Sequence, residues 1–482
     1  MKVYIKGHDF KYETEKLIRI FLPFERVDFS ENSENADILL TLAIKEDVAE
    51  LFASVNIEGK KQERSAKIEK TSEKEYEREL AVLLYKCFVD AFGVSSRWGI
   101  LTGVRPAKLY TKLKNSQGEQ AAKSYFKEKL LVSDEKIELC EKTSVGEKAI
   151  IDLSEERSFS LYIGIPFCPS RCSYCSFVSH SVEKAEKLIP RYVELLCEEI
   201  RETGKIAKKC GLKLETVYFG GGTPTTLSAA QMTAVMDAVK SSFDLNGIRE
   251  YTVEAGRPDT ITLEKLEAIK QGGADRISIN PQTMNDSVLE IIGRRHTTDD
   301  TRNAMKVAKS VGFKNINMDL IAGLPGDSLE SFKATVDEVI EMDPESITIH
   351  TLCLKKAANI TISDGIEQLR KGEEASKMLE YGKARLEENG LYPYYMYRQS
   401  KMVGNLENVG YSKTGLEGLY NVYIMDETHS ILACGASAVT KLRAYNENRI
   451  ERIYNFKYPY EYIDRFSEQL ERKEQILRFY DK

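Results

Sequence analysis

Between residues 158 and 355 the chain repeats one pattern six times: a short strand-like run, then an amphipathic stretch. The runs are Leu161–Pro166, Thr216–Gly220, Tyr251–Ala255, Arg276–Asn280, Asn315–Ile321 and Ser346–Leu352. Helical spacing fills the gaps; Leu188, Tyr192, Leu195, Leu196 and Ile200, for example, share one face. Strands that alternate with helices pair in parallel, with the helices outside. Curled up, such a sheet is a partial TIM barrel, and functional side chains belong at the carboxyl ends of its strands. The expected fold class is α/β, a (β/α)6 partial barrel over residues 158–355.

The 482 residues exceed one average domain. Residues 1–110 read as an N-terminal α/β domain, with strands Lys2–Lys6 and Ala36–Ala43 and helices Tyr12–Phe21 and Glu73–Phe92. Residues 111–157 read as a mostly helical connector. Residues 356–482 read as a C-terminal α+β cap: a charged helix Gly365–Asn389, strands Tyr392–Tyr397, Tyr420–Met425 and Ser430–Cys434, and a helical segment Tyr460–Tyr480. A net charge of −6 leaves no global basic footprint, so nucleic-acid binding is not expected. No apolar run reaches the roughly 18–20 residues that span a bilayer. Met1–Phe10 lacks a signal-peptide core, which points to the cytoplasm. There the nine cysteines are expected to be thiols or metal ligands rather than disulfides.

Three cysteines fall directly after the first strand. Cys168-Pro-Ser-Arg-Cys172-Ser-Tyr-Cys175 has the spacing C-x3-C-x2-C. Thiolates are the usual ligands of iron–sulfur clusters. Three on one short loop can hold three irons of a 4Fe–4S cubane and leave the fourth for a cofactor or substrate. Tetrahedral zinc usually takes four protein ligands, often as C-x2-C pairs. Phe167, Tyr174 and Phe177 can shield such a cluster from water, or simply fill the core. Cys87, Cys140, Cys197, Cys210 and Cys353 have no cluster spacing and read as buried thiols.

This loop, in this place, resembles the radical S-adenosylmethionine (SAM) superfamily. The resemblance implies SAM chelated by the open iron, one-electron cleavage of its C–S bond and a 5′-deoxyadenosyl radical that abstracts hydrogen. Further strand ends fit. Gly220-Gly221-Gly222-Thr223-Pro224 resembles the family motif for the SAM amino group. Glu254 matches a ribose acceptor. Gln282, Arg294 and Asp319 match polar SAM contacts of the coproporphyrinogen-oxidase branch, Arg294 as a carboxylate fork. Tyr162 sits where the family places a tyrosine near SAM, and His350 ends the sixth strand as a candidate acid–base group.

The strand-end motifs resemble oxygen-independent coproporphyrinogen III oxidases (HemN-like). Leu101–Pro106 and Tyr397–Tyr411 look like the HemZ-type subgroup. The loop Cys434-Gly-Ala-Ser-Ala438 resembles a family loop near a second, substrate-side site. The reaction implied is oxidative decarboxylation of two porphyrinogen propionates to vinyl groups, with an electron donor such as flavodoxin or ferredoxin as partner. Arg171, Arg398, Lys401, Lys413 and Arg443 are candidate cations for the substrate carboxylates, and Tyr392–Tyr397 can pack on a tetrapyrrole. The chain departs from the oxidase at two points. Phe177 stands where the oxidase has a fourth cysteine, and Gly164 where it has a histidine. Two alternatives stay open: a heme chaperone of the HemW type, or another radical reaction such as methyl transfer or ring opening. The chaperones usually carry a His-Asn-x-x-Tyr-Trp run, which is absent here, Trp98 being the only tryptophan.

Overall fold

The structure is a computed structural model that describes residues 1–57, 59–175, 179–354, 365–445, 447 and 449–481, with 365–369 as backbone only. Its centre is the parallel barrel sheet. The first to sixth barrel strands are Ser158–Ile165, Lys213–Gly221, Glu250–Glu254, Arg276–Gln282, Asn315–Ala322 and Ser346–Thr351, each hydrogen-bonded in parallel to the next. Between them the helices bury their apolar stripes; Tyr192, Leu195, Leu196 and Ile200 of helix Ile189–Lys209 are all covered. The C-terminal elements lengthen this sheet at both edges into eleven strands. Asn408–Ser412 and then Tyr392–Tyr397 add antiparallel beside the sixth strand. Ser430–Cys434 adds in parallel beside the first, followed by the antiparallel Val439–Arg443 and Ile450–Tyr454.

Two C-terminal expectations need correction. Tyr420–Met425 reads as a strand from its aromatic and β-branched content, but Leu419–Asp426 is a helix. The cause is a long-range cap. The Glu250 carboxylate, at the start of the third strand, accepts the backbone N–H groups of Leu419 (2.5 Å) and Tyr420 (3.3 Å). A carboxylate on a helix N-terminus satisfies orphan donors and complements the dipole, which outweighs weak local propensity. Tyr420 stacks on Tyr218 (4.3 Å, 21°), so this helix closes one end of the barrel interior. Tyr460–Tyr480 is likewise two helices, Pro459–Asp464 and Phe466–Tyr480, broken at Arg465.

The N-terminal part is a five-stranded sheet in the order Asp28–Ser30, Lys2–Lys6, Ile38–Lys45, Val48–Ile57, Lys60–Glu69, with helices Lys11–Phe21 and Glu73–Phe92 against it. Asp28–Ser30, Val48–Ile57 and Lys60–Glu69 were not foreseen. Lys60–Glu69 has no apolar stripe because it is a charged edge strand, as edges commonly are. A buried polar cluster ties this part to the barrel. Trp98 Nε1 and Lys136 Nζ each donate to one oxygen of Glu407, at 2.7 and 2.8 Å. The Arg398 guanidinium lies 5.0 Å over the Trp98 ring and donates to the carbonyls of Leu101 (2.7 Å) and Asn405 (3.0 Å). Among the described residues no helix is long and apolar enough to cross a membrane.

A second buried cluster docks the last strands and helices. Glu199, fully covered on helix Ile189–Lys209, accepts from Gly435 N (2.7 Å), Tyr462 Oη (2.7 Å), Asn455 Nδ2 (3.0 Å) and Gln469 Nε2 (3.1 Å), and pairs with Lys473 Nζ at 2.9 Å. Removing one partner of such a pair strands the other charge away from water. Glu199→Ala is therefore expected to lower unfolding free energy by about 3–5 kcal/mol, read as a lower urea midpoint. An unchanged midpoint would contradict this account of the cluster.

Candidate active site

The cysteine loop is held by backbone. Past the ends of the first two strands, Gly222 N donates to Ile165 O and Thr223 N to Phe167 O, both at 2.7 Å. The strand ladder thus runs on into the loop. A Cβ at Gly222 would lie 2.5 Å from Phe167 O and 3.0 Å from Cys168 Sγ, so only glycine permits this approach. Thr223 Oγ1 donates to Cys168 Sγ at 3.6 Å. On the other side Ser173 N donates to Ile292 O (2.9 Å) and Ser170 Oγ to Gly293 O (3.1 Å). Phe167 is buried edge-on against Tyr192 (5.2 Å, 87°). Phe177 lies outside the described residues.

Cys168, Cys172 and Cys175 line one cavity of about 380 Å³, within the range of small-molecule sites. Among the described residues no three His, Cys, Asp or Glu side chains converge as a single metal ion requires. A cubane takes each thiolate on a different iron, so three separated sulfurs on a glycine-cradled loop suit it.

The same cavity runs along the strand ends. Gly221, Gly222, Thr223, Glu254, Gln282, Arg294, Asp319 and His350 all line it, while Gly220 is packed beside Tyr218 and Glu254. Glu254 accepts the Tyr218 hydroxyl at 2.5 Å; burial pushes its carboxyl up to about 7, with Asp319 adding to the rise and the Tyr218 bond opposing it. Gln282 sits at a bulge with φ +72°, in the left-handed region, and is 6% exposed. That region is uncommon for a residue with a Cβ such as glutamine. Arg294 donates to Asn280 O (2.6 Å), Gly256 O (3.4 Å) and Tyr174 Oη (3.0 Å), joining the third and fourth strand ends to the cysteine loop. Asp319 takes a bond from Asn317 (2.7 Å) and faces His350 Nε2 at 3.6 Å. Burial pushes the Asp319 carboxyl up, but His350, Asn317 and Thr348 outweigh it and hold it below the usual range.

Other expectations fare differently. Tyr162 is not on the cavity wall. It lies behind it, stacked 6.3 Å from Tyr218 and 6.2 Å from Tyr420, with its hydroxyl pKa raised by burial. Of the five candidate cations only Arg171 lines the cavity. Arg398 is consumed by the Leu101 and Asn405 carbonyls. Lys401 sits over Phe24 at 5.4 Å. Lys413 pairs with Asp343 (2.7 Å) at the amino-terminal end of the sixth strand, and Arg443 N donates to Ser430 at the amino-terminal end of its neighbour. The Cys434–Ala438 loop is buried except at Ser437, which is exposed. A Cβ at Gly435 would meet Gly164 O at 2.3 Å, and Cys434 Sγ bonds Thr203. Cys353, read as a buried thiol, is half-buried on the cavity wall.

Several wall residues were missed. Tyr218, Asn280, Asn317 and Asn408 line the cavity, alongside Tyr395 and Tyr397 of the tyrosine run already singled out. Alternation within a known strand places Tyr218 two residues from Gly220, a usable signal. Arg257 was missed because a surface arginine is the default reading. It is 4% exposed and touches Cys172.

A Radical SAM superfamily profile matches residues 162–339. The oxygen-independent coproporphyrinogen-III oxidase-like protein HemZ of Bacillus subtilis is 37% identical over 455 residues, covering 92% of this chain and 91% of its own. The heme chaperone HemW of the same organism is 32% identical, covering 58% of this chain and 70% of its own. The solved structure of coproporphyrinogen III oxidase (HemN) from Escherichia coli shares the fold at TM-score 0.50 and 21% identity, covering 68% of this chain and 73% of that one. The chain belongs to the radical SAM superfamily, in its HemN-like family and HemZ-type subgroup, whose cofactors are a 4Fe–4S cluster and S-adenosylmethionine.

Proposed function

We propose that this chain cleaves S-adenosylmethionine reductively and decarboxylates coproporphyrinogen III to protoporphyrinogen IX without oxygen. One observation carries the reading: a single cavity joins the three-cysteine loop to Glu254, Gln282, Arg294, Asp319 and His350 on successive strand ends. When bound, cluster and SAM supply a 5′-deoxyadenosyl radical after one electron arrives from a donor such as flavodoxin or ferredoxin.

The chain's residues do the rest. Cys168, Cys172 and Cys175 hold three irons, and the Gly220–Thr223 strand end lets a ligand meet bare backbone. Glu254 accepts ribose hydroxyls and Gln282 presents its amide to the same ligand. Arg294 lies on the cavity wall with Nε and Nη2 on Tyr174 Oη, and it reaches the SAM carboxylate as a fork by exchanging that hydroxyl for the ligand. His350 presents Nε2 to the cavity beside Asp319, at 3.6 Å. Tyr395 and Tyr397 offer aromatic surface to a tetrapyrrole. In overall balance each propionate side chain would give up one hydrogen atom, one CO2 and one electron to become a vinyl group, the bound cofactors supplying the hydrogen-atom acceptor and an external one-electron acceptor taking the electron. Heme holding is the second reading, favoured by the similarity to HemW.

Cys168→Ala, Cys172→Ala and Cys175→Ala are each expected to lose iron and the ~400 nm absorption of a thiolate-ligated cluster. Gly222→Ala should do the same, because its Cβ has no room; a full-intensity band in any of the four contradicts the assignment. Glu254 accepts more strongly as a carboxylate than as a carboxylic acid, so lowering pH through about 7 is expected to weaken SAM binding. Calorimetry should find affinity down by up to about tenfold from pH 8 to pH 6, and a flatter profile for Glu254→Gln. The function itself is tested anaerobically with dithionite, SAM and coproporphyrinogen III. Protoporphyrinogen and 5′-deoxyadenosine together support it. Deoxyadenosine without decarboxylated product from a fully loaded cluster rejects the substrate. Stoichiometric heme binding without turnover supports the second reading.

A further inference from the structure

Arg257 follows the third barrel strand in Glu254-Ala-Gly-Arg-Pro-Asp259 and is 4% exposed. Its guanidinium is fully committed. Nε and Nη2 form a fork with the two oxygens of Asp259, at 2.9 and 3.0 Å. Nη1 and Nη2 both donate to Ser170 Oγ at 3.2 Å, inside the cysteine loop. Nη1 also donates to Cys172 Sγ at 3.6 Å. Cys172 is the middle cysteine of the three and itself 8% exposed. The carbonyl of Arg257 is fixed in turn by Thr260 N (2.9 Å) and Oγ1 (2.8 Å), so the arginine has little freedom to move away.

A buried cation is costly, and this one is retained against a sulfur. Asp259 neutralises it in part, and burial notwithstanding, Arg257 holds the Asp259 carboxyl below its usual range. The His296 imidazole, which makes no hydrogen bond, lies near the pair, and Arg294 is a second cation close to Cys172 and Asp259. The net effect at Cys172 is an N–H···S bond from a charged donor in a dry setting. Hydrogen bonds to cluster sulfurs and nearby positive charge favour the reduced, more negative cluster.

We infer that Arg257 is a positioning residue that raises the reduction potential of the cluster through Cys172, with Asp259 setting how much of its charge the sulfur feels. The inference rests on the cluster reading at Cys168, Cys172 and Cys175. Its consequence is selective: Arg257 eases entry of the one electron that an external low-potential donor delivers, and leaves SAM contacts to other residues. Two neighbours give opposite signs. Removing the arginine charge lowers the potential. Removing the Asp259 charge while keeping an acceptor raises it.

The experiment is a redox titration of the reconstituted holoenzyme, followed by the electron-paramagnetic signal of the reduced cluster. Iron and sulfide content and the ~400 nm band are measured first on every sample. Arg257→Gln should keep the cluster, shift the midpoint negative and make reduction at least tenfold harder, which is about 59 mV for one electron. Asp259→Asn should shift the midpoint positive. SAM cleavage by Arg257→Gln should be slow at a fixed mild potential and recover with a stronger reductant. A loaded Arg257→Gln with the wild-type midpoint overturns the inference alone. If Arg257→Gln fails to hold iron, Asp259→Asn decides, and an unmoved or lowered midpoint there overturns it. A wild-type chain without iron and sulfide overturns the cluster reading and this inference together.

Discussion

The seam between the first two barrel strands carries the site. Two backbone hydrogen bonds, Gly222 N to Ile165 O and Thr223 N to Phe167 O, extend the sheet ladder beyond the strands and pin the cysteine loop to it. The contact is short because Gly222 has no side chain; a single Cβ would meet Phe167 O at 2.5 Å. Secondary structure therefore positions the thiols directly, with little left to side-chain packing. Arg294, Ser170 and Arg257 then fasten the loop's free side to the third and fourth strand ends. A loop held on both sides by strand ends loses little order when a ligand arrives, which is what preorganised binding requires.

The barrel interior below this loop is lined by many polar side chains and is closed at one end. Helix Leu419–Asp426 is drawn there by Glu250 and seals it with the stack of Tyr420, Tyr218 and Tyr162. The edge beyond the sixth strand is set from outside the barrel. Glu407 receives Trp98 and Lys136 through its carboxylate, while its carbonyl accepts Thr351 Oγ1 (2.7 Å) and Asn408 Oδ1 accepts Thr351 N (2.8 Å). Thr351 and Asn408 are cavity residues. The N-terminal part thereby reaches the cavity wall without lending it a side chain.

The distribution of cations shows where reasoning from sequence weakens. Arginine and lysine near a motif are easily taken as substrate ligands, but a cation's partner is decided by three-dimensional neighbours. Arg398 is a brace under Trp98, and Lys413 and Arg443 belong to the far end of the sheet. Meanwhile Arg257, three residues after a recognised glutamate, reaches the cluster loop because the third strand ends beside it. Strand order, invisible in the linear chain, brings residues 170 and 257 together.

What the sequence by itself determined is everything that depends on periodicity and local spacing. Six strand–helix repeats dictated a parallel barrel, because each run is apolar at strand length and each gap is amphipathic. The three cysteines, the glycine strand end and the polar strand-end residues followed, since they sit at repeat boundaries. Tertiary structure decided what depends on distant partners. It turned Tyr420–Met425 into a helix through a carboxylate 170 positions away, carried Ser430–Cys434 into the barrel sheet beside the first strand, and withdrew Tyr162 behind Tyr218. Capping, edge pairing and burial of charge are contests between segments far apart in the chain, and only the folded molecule brings the contestants into contact.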